Sequence, residues 1–237
     1  MGHVIAIDGP AGAGKSTIAR LVAEKLGYIY IDTGAMYRAI AVWSSRTMTA
    51  AGDAHRLEQL AISAEIELLP GRRVRLNGED VTDAIRTPDI SALASQIASI
   101  GAVRAALVSK QRQIAENSNV VMEGRDIGSV VFPDARVKIF LDADPAERVR
   151  RRAAEQPGEH PGALTAQIAE RDQRDRSRAE SPLVQAPDAT YLDSTGMTQQ
   201  QVEDEILRIV RARITNGKAG SVADAPGQAS SAAGETR

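Results

Sequence analysis

The chain has 237 residues with 29 basic and 31 acidic side chains, which gives a formal net charge of −2. This length indicates one large domain or one domain with an insertion, and a hydrophobic fraction of 43% is enough for a sizeable core. The near-neutral charge argues against nucleic acid as a partner, because binding to the phosphate backbone needs a basic surface. The absence of cysteine excludes disulfides, thiolate metal sites and cysteine nucleophiles.

Compartment and assembly follow from the same composition. The sequence contains no run of 18 apolar residues, and its start lacks the basic and apolar regions of a secretory signal. We therefore expect a soluble, cytoplasmic protein with no membrane partner. The low aromatic content of 3% and the lack of an obvious exposed apolar stripe favour a monomer.

Short apolar runs alternate with helical patterns along the chain. The pattern predicts a helix over residues 15–26 after the first strand and another over 200–213. Fully apolar strands alternating with helices are typical of a parallel sheet covered on both faces. The sequence therefore predicts an α/β fold with a five-stranded parallel sheet, whose carboxyl edge binds the ligand. The five predicted strands span residues 3–8, 28–31, 120–122, 138–141 and 189–192.

Two segments depart from this alternation. Residues 64–86 combine alternating polarity with a Pro-Gly and an Asn-Gly turn, which predicts a small antiparallel hairpin or meander inserted into the parallel domain. Residues 216–237 contain only Val222 among the larger apolar residues. Such a segment cannot bury enough surface to offset its ordering entropy, so we expect a disordered tail.

The strongest motif is GPAGAGKS at residues 9–16, which fits G-x-x-x-x-G-K-S/T and lies between a predicted strand and a predicted helix. In such a loop the glycines let backbone N–H groups surround phosphates at a helix N-terminus. Lys15 is expected to reach the β- and γ-phosphates of ATP, and the Ser16 hydroxyl to bind Mg²⁺. The expected ATP-binding residues are Gly9, Pro10, Ala11, Gly12, Ala13, Gly14, Lys15, Ser16 and Thr17.

A phosphate loop occurs in switches, motors and kinases. A GTP switch needs a guanine-binding N-K-x-D sequence, which this chain lacks. A motor or remodelling ATPase needs a larger chain or a basic channel for nucleic acid, and this sequence has neither. Of the three classes, the sequence therefore favours a small-molecule kinase.

Four motifs in order then make the assignment specific: GPAGAGKST at 9–17, DTGAMYRA at 32–39, EGRDIGSVVFPDA at 123–135 and RDQRDRSR at 171–178. Together they resemble the bacterial cytidylate kinase family over residues 3–213. The resemblance implies transfer of the γ-phosphoryl group of ATP to CMP and dCMP. It also implies a P-loop nucleoside monophosphate kinase core at 1–61 and 91–215, with a CMP-binding insertion at 62–90.

Arginine is unevenly distributed. The chain has 24 Arg and five Lys, and eight of the arginines lie between residues 148 and 178. Helical periodicity predicts two stripes separated by the Pro- and Gly-rich segment 156–163, which is typical of a hinged lid over about residues 148–175. Surface helices whose arginines pair with Glu170, Asp172 and Glu180 are the alternative. The stripes consist of Arg148, Arg151 and Arg152 on one helix and Arg171, Arg174, Asp175 and Arg178 on the other.

The resemblance also implies residue roles. Thr33, which replaces the family's usual Ser, would bind the CMP phosphate with Arg38 and Arg125, while Arg171, Asp175 and Arg178 would bind the ribose and phosphate side. Cytosine would be bound by Ser95, Arg104 and Asp126, since a carboxylate accepts a hydrogen bond from the N4 amine of cytosine. Lys15, Arg125, Arg151 and Arg178 would be catalytic. Ser16 would bind Mg²⁺, and Glu123 would assist through a water molecule.

Other functions share these motifs. A UMP/CMP kinase, an adenylate kinase and a shikimate-type kinase could use the same core. A regulatory protein that binds ATP without transferring phosphate is an alternative of a different class.

Overall fold

The structure is a computed structural model that describes residues 2–156 and 158–219. Within these residues the strands are β1 (Val4–Asp8), β2 (Ile29–Asp32), β3 (Ile66–Leu69), β4 (Arg73–Leu76), β5 (Glu79–Asp80), β6 (Val120–Gly124), β7 (Val137–Asp142) and β8 (Thr190–Asp193). The helices are α1 (Lys15–Leu26), α2 (Thr33–Arg46), α3 (Ala54–Ser63), α4 (Pro88–Ile97), α5 (Gly101–Ala115), α6 (Pro145–Glu155), α7 (Pro161–Arg176) and α8 (Gln199–Ala219).

The main sheet has five parallel strands in the order β2-β6-β1-β7-β8. The predicted parallel sheet is confirmed, and each predicted strand lies within one or two residues of an observed one. β1 occupies the centre and is buried along its whole length, which explains its unbroken apolar sequence. At the carboxyl edge, Asp8 of β1 lies level with Gly124 of β6, so the phosphate loop and the EGRD segment leave the sheet side by side.

Helices cover both faces of this sheet. On one face, Ile5 and Ile7 of β1 belong to an apolar cluster with residues of α1 and α8. On the other face, Val4 and Ala6 belong to a cluster that includes Val108 of α5. The alternation along β1 places successive side chains in opposite layers, as the pleat of a strand requires.

The insertion is an antiparallel meander in the order β3-β4-β5, as the alternating sequence predicts. Asn77 and Gly78 join β4 to β5 with φ values of 52° and 82°, the positive values that a two-residue hairpin turn requires. Val74 and Leu76 of β4 are buried in one cluster with residues of α2–α5. The meander therefore shares its core with the helices that flank it.

Two predicted helix boundaries differ from the structure. The predicted stripe extends to Arg178, but α7 ends at Arg176, because the chain turns at Ser177 and returns so that Leu183 N donates to Asp175 O at 2.8 Å. α8 continues through Ala219, so residues 216–219 of the predicted tail are helical. A helix that is already formed adds residues at little cost. Residues 220–237 lie outside the described part of the chain, and their disorder stays a prediction.

The described residues include no single helix that is long and apolar enough to cross a membrane. Within this described part of the chain, α4 and α5 reach the required length and composition when they are taken together, but they are bent by 100° at the break between them.

The central strand supplies a stability test. Ile7 is fully buried, so Ile7→Ala removes buried methyl groups and leaves a cavity between β1 and its covering helices. We expect a loss of about 2–5 kcal/mol in unfolding free energy, measured by urea unfolding. The matched control is Ile62→Ala, because Ile62 is 60% exposed on α3, and it should change stability by less than about 0.5 kcal/mol. Equal effects of the two substitutions would contradict this placement of the core.

Candidate active site

The phosphate loop joins β1 to α1 at the centre of the carboxyl edge. Gly9 has a φ of +151°, and a Cβ at this position would lie 2.0 Å from the backbone oxygen of Leu141 on β7. A side chain there would collide with the neighbouring strand, so the first glycine is required by close packing. The loop ends at Gly14, and α1 begins with Lys15, so the N-terminal end of the helix faces the loop.

Lys15 is buried at the base of this loop, where its Nζ donates to Pro10 O at 2.6 Å. Burial and the neighbouring Arg125 guanidinium lower the pKa of Lys15 to about 7, and the charge of Arg171 also lowers it. An anion beside Nζ would raise this pKa again by favouring the charged form.

The two arginine-bearing helices α6 and α7 form hydrogen bonds to the backbone of the phosphate loop. Asp172 of α7 accepts a hydrogen bond from Ala11 N at 3.1 Å, and Arg148 of α6 donates to Ala11 O at 3.1 Å. Arg148 and Asp172 also form a buried ion pair with each other. The surface-helix alternative is wrong for Asp172, which is only 3% exposed.

Arg151, which we predicted to be catalytic, also contacts the phosphate loop. Its Nη1 donates to Ala13 O at 3.0 Å and to Ser194 Oγ at 2.9 Å. Arg152, in contrast, pairs with Glu155 on its own helix. The stripe predicted on α6 therefore divides into two residues that contact the loop, Arg148 and Arg151, and one that does not.

The predicted acceptor residues lie together beside the loop. Arg125 follows β6 and donates from Nε to Asp175 of α7 at 2.8 Å, and Asp175 also pairs with Arg178. Although burial opposes it, the guanidiniums of Arg125 and Arg178 keep the pKa of Asp175 below its usual range. Arg171 differs, because its Nε is buried without a hydrogen-bond partner among the described residues. Burial and the nearby Arg125 lower the pKa of Arg171 to about 9.

The residues predicted to bind cytosine form a second buried group. Arg104 of α5 pairs with Asp126, and its guanidinium lies 5.6 Å from the ring centroid of Tyr37. Ser95 of α4 accepts a hydrogen bond from Arg174 Nη1 at 2.8 Å. Arg174 also pairs with the exposed Glu170, as the surface-helix alternative predicts. Asp126, Arg104 and Ser95 are each at most 6% exposed.

The remaining predicted residues come from the start of α2. Thr33 Oγ donates to Glu123 O at 2.7 Å, which joins α2 to the end of β6. Arg38 pairs with Asp32, the last residue of β2, at 2.8 Å. The structure thus joins Arg125, Asp175 and Arg178 in one network and pairs Arg104 with Asp126. Ser95 contacts Arg174, and Arg38 contacts Asp32.

Sequence reasoning missed several residues of this site. Asp8, at the end of β1, accepts hydrogen bonds from Ile127 N at 2.8 Å and Gly128 N at 2.7 Å, and so anchors the segment that follows Arg125 and Asp126. A single acidic residue at the end of an apolar strand was the available signal. Tyr37 gave none, because an aromatic residue in an apolar helix is typical of an ordinary core.

Comparisons with known proteins agree on one family. The family model described as cytidylate kinase matches residues 5–212. A cytidylate kinase from Solibacter usitatus is 61% identical over 91% of this chain and 95% of its own length. One from Geobacter sulfurreducens is 48% identical over 90% and 94%. An uncharacterized protein from Eubacterium ventriosum shares the fold, with a TM-score of 0.52 at 12% identity, over 89% of this chain and 99% of its own.

Asp8 gives a pH-dependent prediction. Burial raises the pKa of its carboxyl from 3.8 to about 6, against the opposing effect of the two backbone N–H groups. Because the folded-state pKa is raised, folding favours the protonated form, and this group's contribution to stability falls as the pH rises from about 4 to 6. Protonation also weakens the acceptor for Ile127 N and Gly128 N.

In NMR spectra we therefore expect both amide protons to move upfield as the pH falls, with a midpoint near 6. The Asp8→Asn variant, which does not titrate, should lack this movement. A midpoint near 4 in the unsubstituted protein would contradict the environment assigned to Asp8.

Proposed function

The chain belongs to the cytidylate kinase family, and we propose that it transfers the γ-phosphoryl group of ATP to CMP and dCMP, giving ADP and CDP or dCDP. It is an ATP-dependent transferase of pyrimidine nucleotide metabolism. One observation carries the proposal for the site: α7 contacts both halves of it, because its Asp172 accepts a hydrogen bond from Ala11 N of the phosphate loop and its Asp175 pairs with Arg125. The terminal phosphate of the donor and the phosphate of the acceptor would therefore meet beside α7.

The chemistry needs positioning more than proton transfer. The nucleophile is a phosphate oxygen of CMP, which is already anionic at neutral pH, so no general base is required. Arg125, Arg38 and the Thr33 hydroxyl would hold this phosphate in line with the γ-phosphorus. Lys15 and Arg178 would neutralise the charge on the transferring group. Arg171, whose Nε has no hydrogen-bond partner among the described residues, would bridge the two phosphates.

Base recognition would rely on the buried pair of Arg104 and Asp126. Asp126 would accept a hydrogen bond from the N4 amine of cytosine, while Arg104 and Ser95 would donate to the other polar atoms of the base edge. Uracil has an oxygen in place of that amine, so two acceptors would face each other in a buried pocket. The ion pair and the ring of Tyr37 support this role, because they hold the carboxylate in one orientation.

The Ser16 hydroxyl and the Glu123 carboxylate are oxygen ligands of the kind that Mg²⁺ prefers. Among the described residues no group of three or more His, Cys, Asp or Glu side chains forms a metal cage. That suits an ion that keeps waters and is bound mainly by nucleotide phosphates. Ser16 would hold the ion directly and Glu123 would hold it through water. When bound, Mg²⁺ would offset the negative charge of the β- and γ-phosphates.

The flanking segments have proposed roles as well. The segment over about residues 148–175 would act as a lid whose closure excludes water and so prevents hydrolysis of ATP. The contacts of Arg148 and Asp172 with Ala11 support this, because they couple the lid helices to the phosphate loop. The insertion at 62–90 would contribute to CMP binding. Cytoplasmic location, a monomeric state and the lack of nucleic-acid or membrane partners remain expectations.

The direct test is ADP release from Mg·ATP, measured with CMP, dCMP, UMP, AMP and shikimate as acceptors and with no acceptor. We expect rapid turnover with CMP and dCMP only. Equal use of UMP and CMP would favour a UMP/CMP kinase, and use of AMP or shikimate would favour the kinase of that name. ATP binding without acceptor-dependent turnover would favour a regulatory nucleotide-binding protein.

Asp126→Asn tests the base contact. Its amide can donate to the oxygen of uracil but cannot accept from the cytosine amine, so kcat/KM for CMP should fall about 10²–10³-fold and the preference for CMP over UMP should narrow. Because the substitution also weakens the ion pair with Arg104, only the ratio of the two kcat/KM values reports base reading. Asp134→Asn, at an exposed position, is the control. An unchanged ratio alongside reduced CMP activity would show that Asp126 does not contact the base.

A further inference from the structure

We propose that Tyr30 is a positioning residue that fixes the Glu123 carboxylate beside Ser16, and thereby sets how strongly the divalent cation tightens nucleotide binding. The inference rests on the proposed function, with Mg·ATP as the donor. Tyr30 belongs to none of the four family-like motifs. Its hydroxyl donates to Glu123 Oε1 at 2.6 Å, from β2 to the adjacent strand β6.

The ring and the hydroxyl of Tyr30 have separate environments. The ring packs against the apolar cluster that α1 forms with the sheet, the cluster of Ile18 and Val22. The hydroxyl reaches the carboxyl edge, where the Ser16 hydroxyl at the start of α1 lies close enough to affect the pKa of both Tyr30 and Glu123. Tyr30 therefore spans the distance from the core to the expected metal position.

The Glu123 carboxylate needs a hydrogen-bond partner to fix its orientation. It is 4% exposed, and the neighbouring negative charge of Asp32 raises its pKa in addition to the larger effect of burial. A glutamate side chain has three rotatable bonds, so its carboxylate has several orientations available unless a partner fixes one of them. Tyr30 fixes one carboxylate oxygen, and the carboxylate so oriented would accept a hydrogen bond from a water molecule of the cation.

The Tyr30 hydroxyl is suited to donate this hydrogen bond to Glu123. A tyrosine phenol carries its proton at neutral pH, so the Tyr30 hydroxyl can donate to Glu123 Oε1. Groups that orient metal-binding side chains in this way typically contribute 10–100-fold to metal affinity or activity. The hydrogen bond from Tyr30 therefore restricts the orientation of the Glu123 carboxylate.

Tyr30→Phe isolates the hydroxyl, because it keeps the ring in the core. The measurement is the Kd of a non-hydrolysable ATP analogue, determined by calorimetry once with Mg²⁺ and once with EDTA. The ratio of the two values reports the coupling between cation and nucleotide. We expect Tyr30→Phe to reduce the enhancement by Mg²⁺ about tenfold and to leave the Kd in EDTA unchanged within twofold.

Tyr28→Phe is the matched control, because Tyr28 contacts the same apolar cluster but its hydroxyl makes no hydrogen bond to a described residue. It should change neither Kd. The effect of Tyr30→Phe should also vanish in a Glu123→Ala background, since Tyr30 acts through Glu123. An unchanged Mg²⁺ enhancement in Tyr30→Phe, an equal change in Tyr28→Phe, or full additivity with Glu123→Ala would each overturn the proposal.

This design separates the inference from the proposed function. Failure of the unsubstituted protein to phosphorylate CMP would refute the function, whereas the binding ratio is measured without any acceptor. Normal CMP phosphorylation combined with an unaltered ratio in Tyr30→Phe would refute the role of Tyr30 alone.

Discussion

The crowding of positive charge at the carboxyl edge of the sheet is the constraint on which the rest of the site depends. The guanidiniums of Arg125 and Arg171 add to the effect of burial in lowering the pKa of Lys15, and Arg125 likewise lowers the pKa of Arg171. Such proximity is unfavourable in a buried place unless anions separate the cations. Asp175 supplies one anion, shared by Arg125 and Arg178, whereas Arg171 forms no ion pair within 4 Å among the described residues. The phosphates of the two nucleotides would complete the balance.

The acidic residues of the edge have a structural role as well. Asp8 anchors the segment after Arg125 and Asp126, and Asp172 anchors the phosphate loop to α7. Each carboxylate accepts backbone N–H groups of a loop that has no strand partner of its own, which satisfies groups that burial would otherwise leave unpaired. Asp172 in addition pairs with Arg148, so one carboxylate both holds the phosphate loop in place and balances the charge of an arginine.

The sequence predicts the parallel sheet, the phosphate loop and the meander because each depends on local pattern: apolar runs such as β1, the glycine spacing of residues 9–14, and the Asn77-Gly78 turn. It also indicates that Thr33, Arg125 and Asp126 lie at the carboxyl edge, since they directly follow β2 and β6. The roles expected of Ser95 and Arg104, which lie inside helices, came only from the family resemblance. The pairing of the site residues was not predictable. Arg174 with Ser95 and Arg148 with Ala11 join helices far apart in the chain, and such partners depend on tertiary packing. The roles of Asp8 and Tyr30 were missed for the same reason.

The central claim is that the site keeps an unbalanced positive charge for its substrates, and the stability of the nucleotide-free Arg171→Met variant tests it most directly. Removing a half-buried guanidinium whose Nε has no hydrogen-bond partner among the described residues and which lies near the like-charged Arg125 should raise the free energy of unfolding by about 1 kcal/mol, while the stabilisation conferred by added CMP is lost. Arg176→Met, on the exposed side of the same helix, should change neither quantity. A lower unfolding free energy for Arg171→Met than for the unsubstituted protein, with stabilisation by CMP retained, would contradict the account.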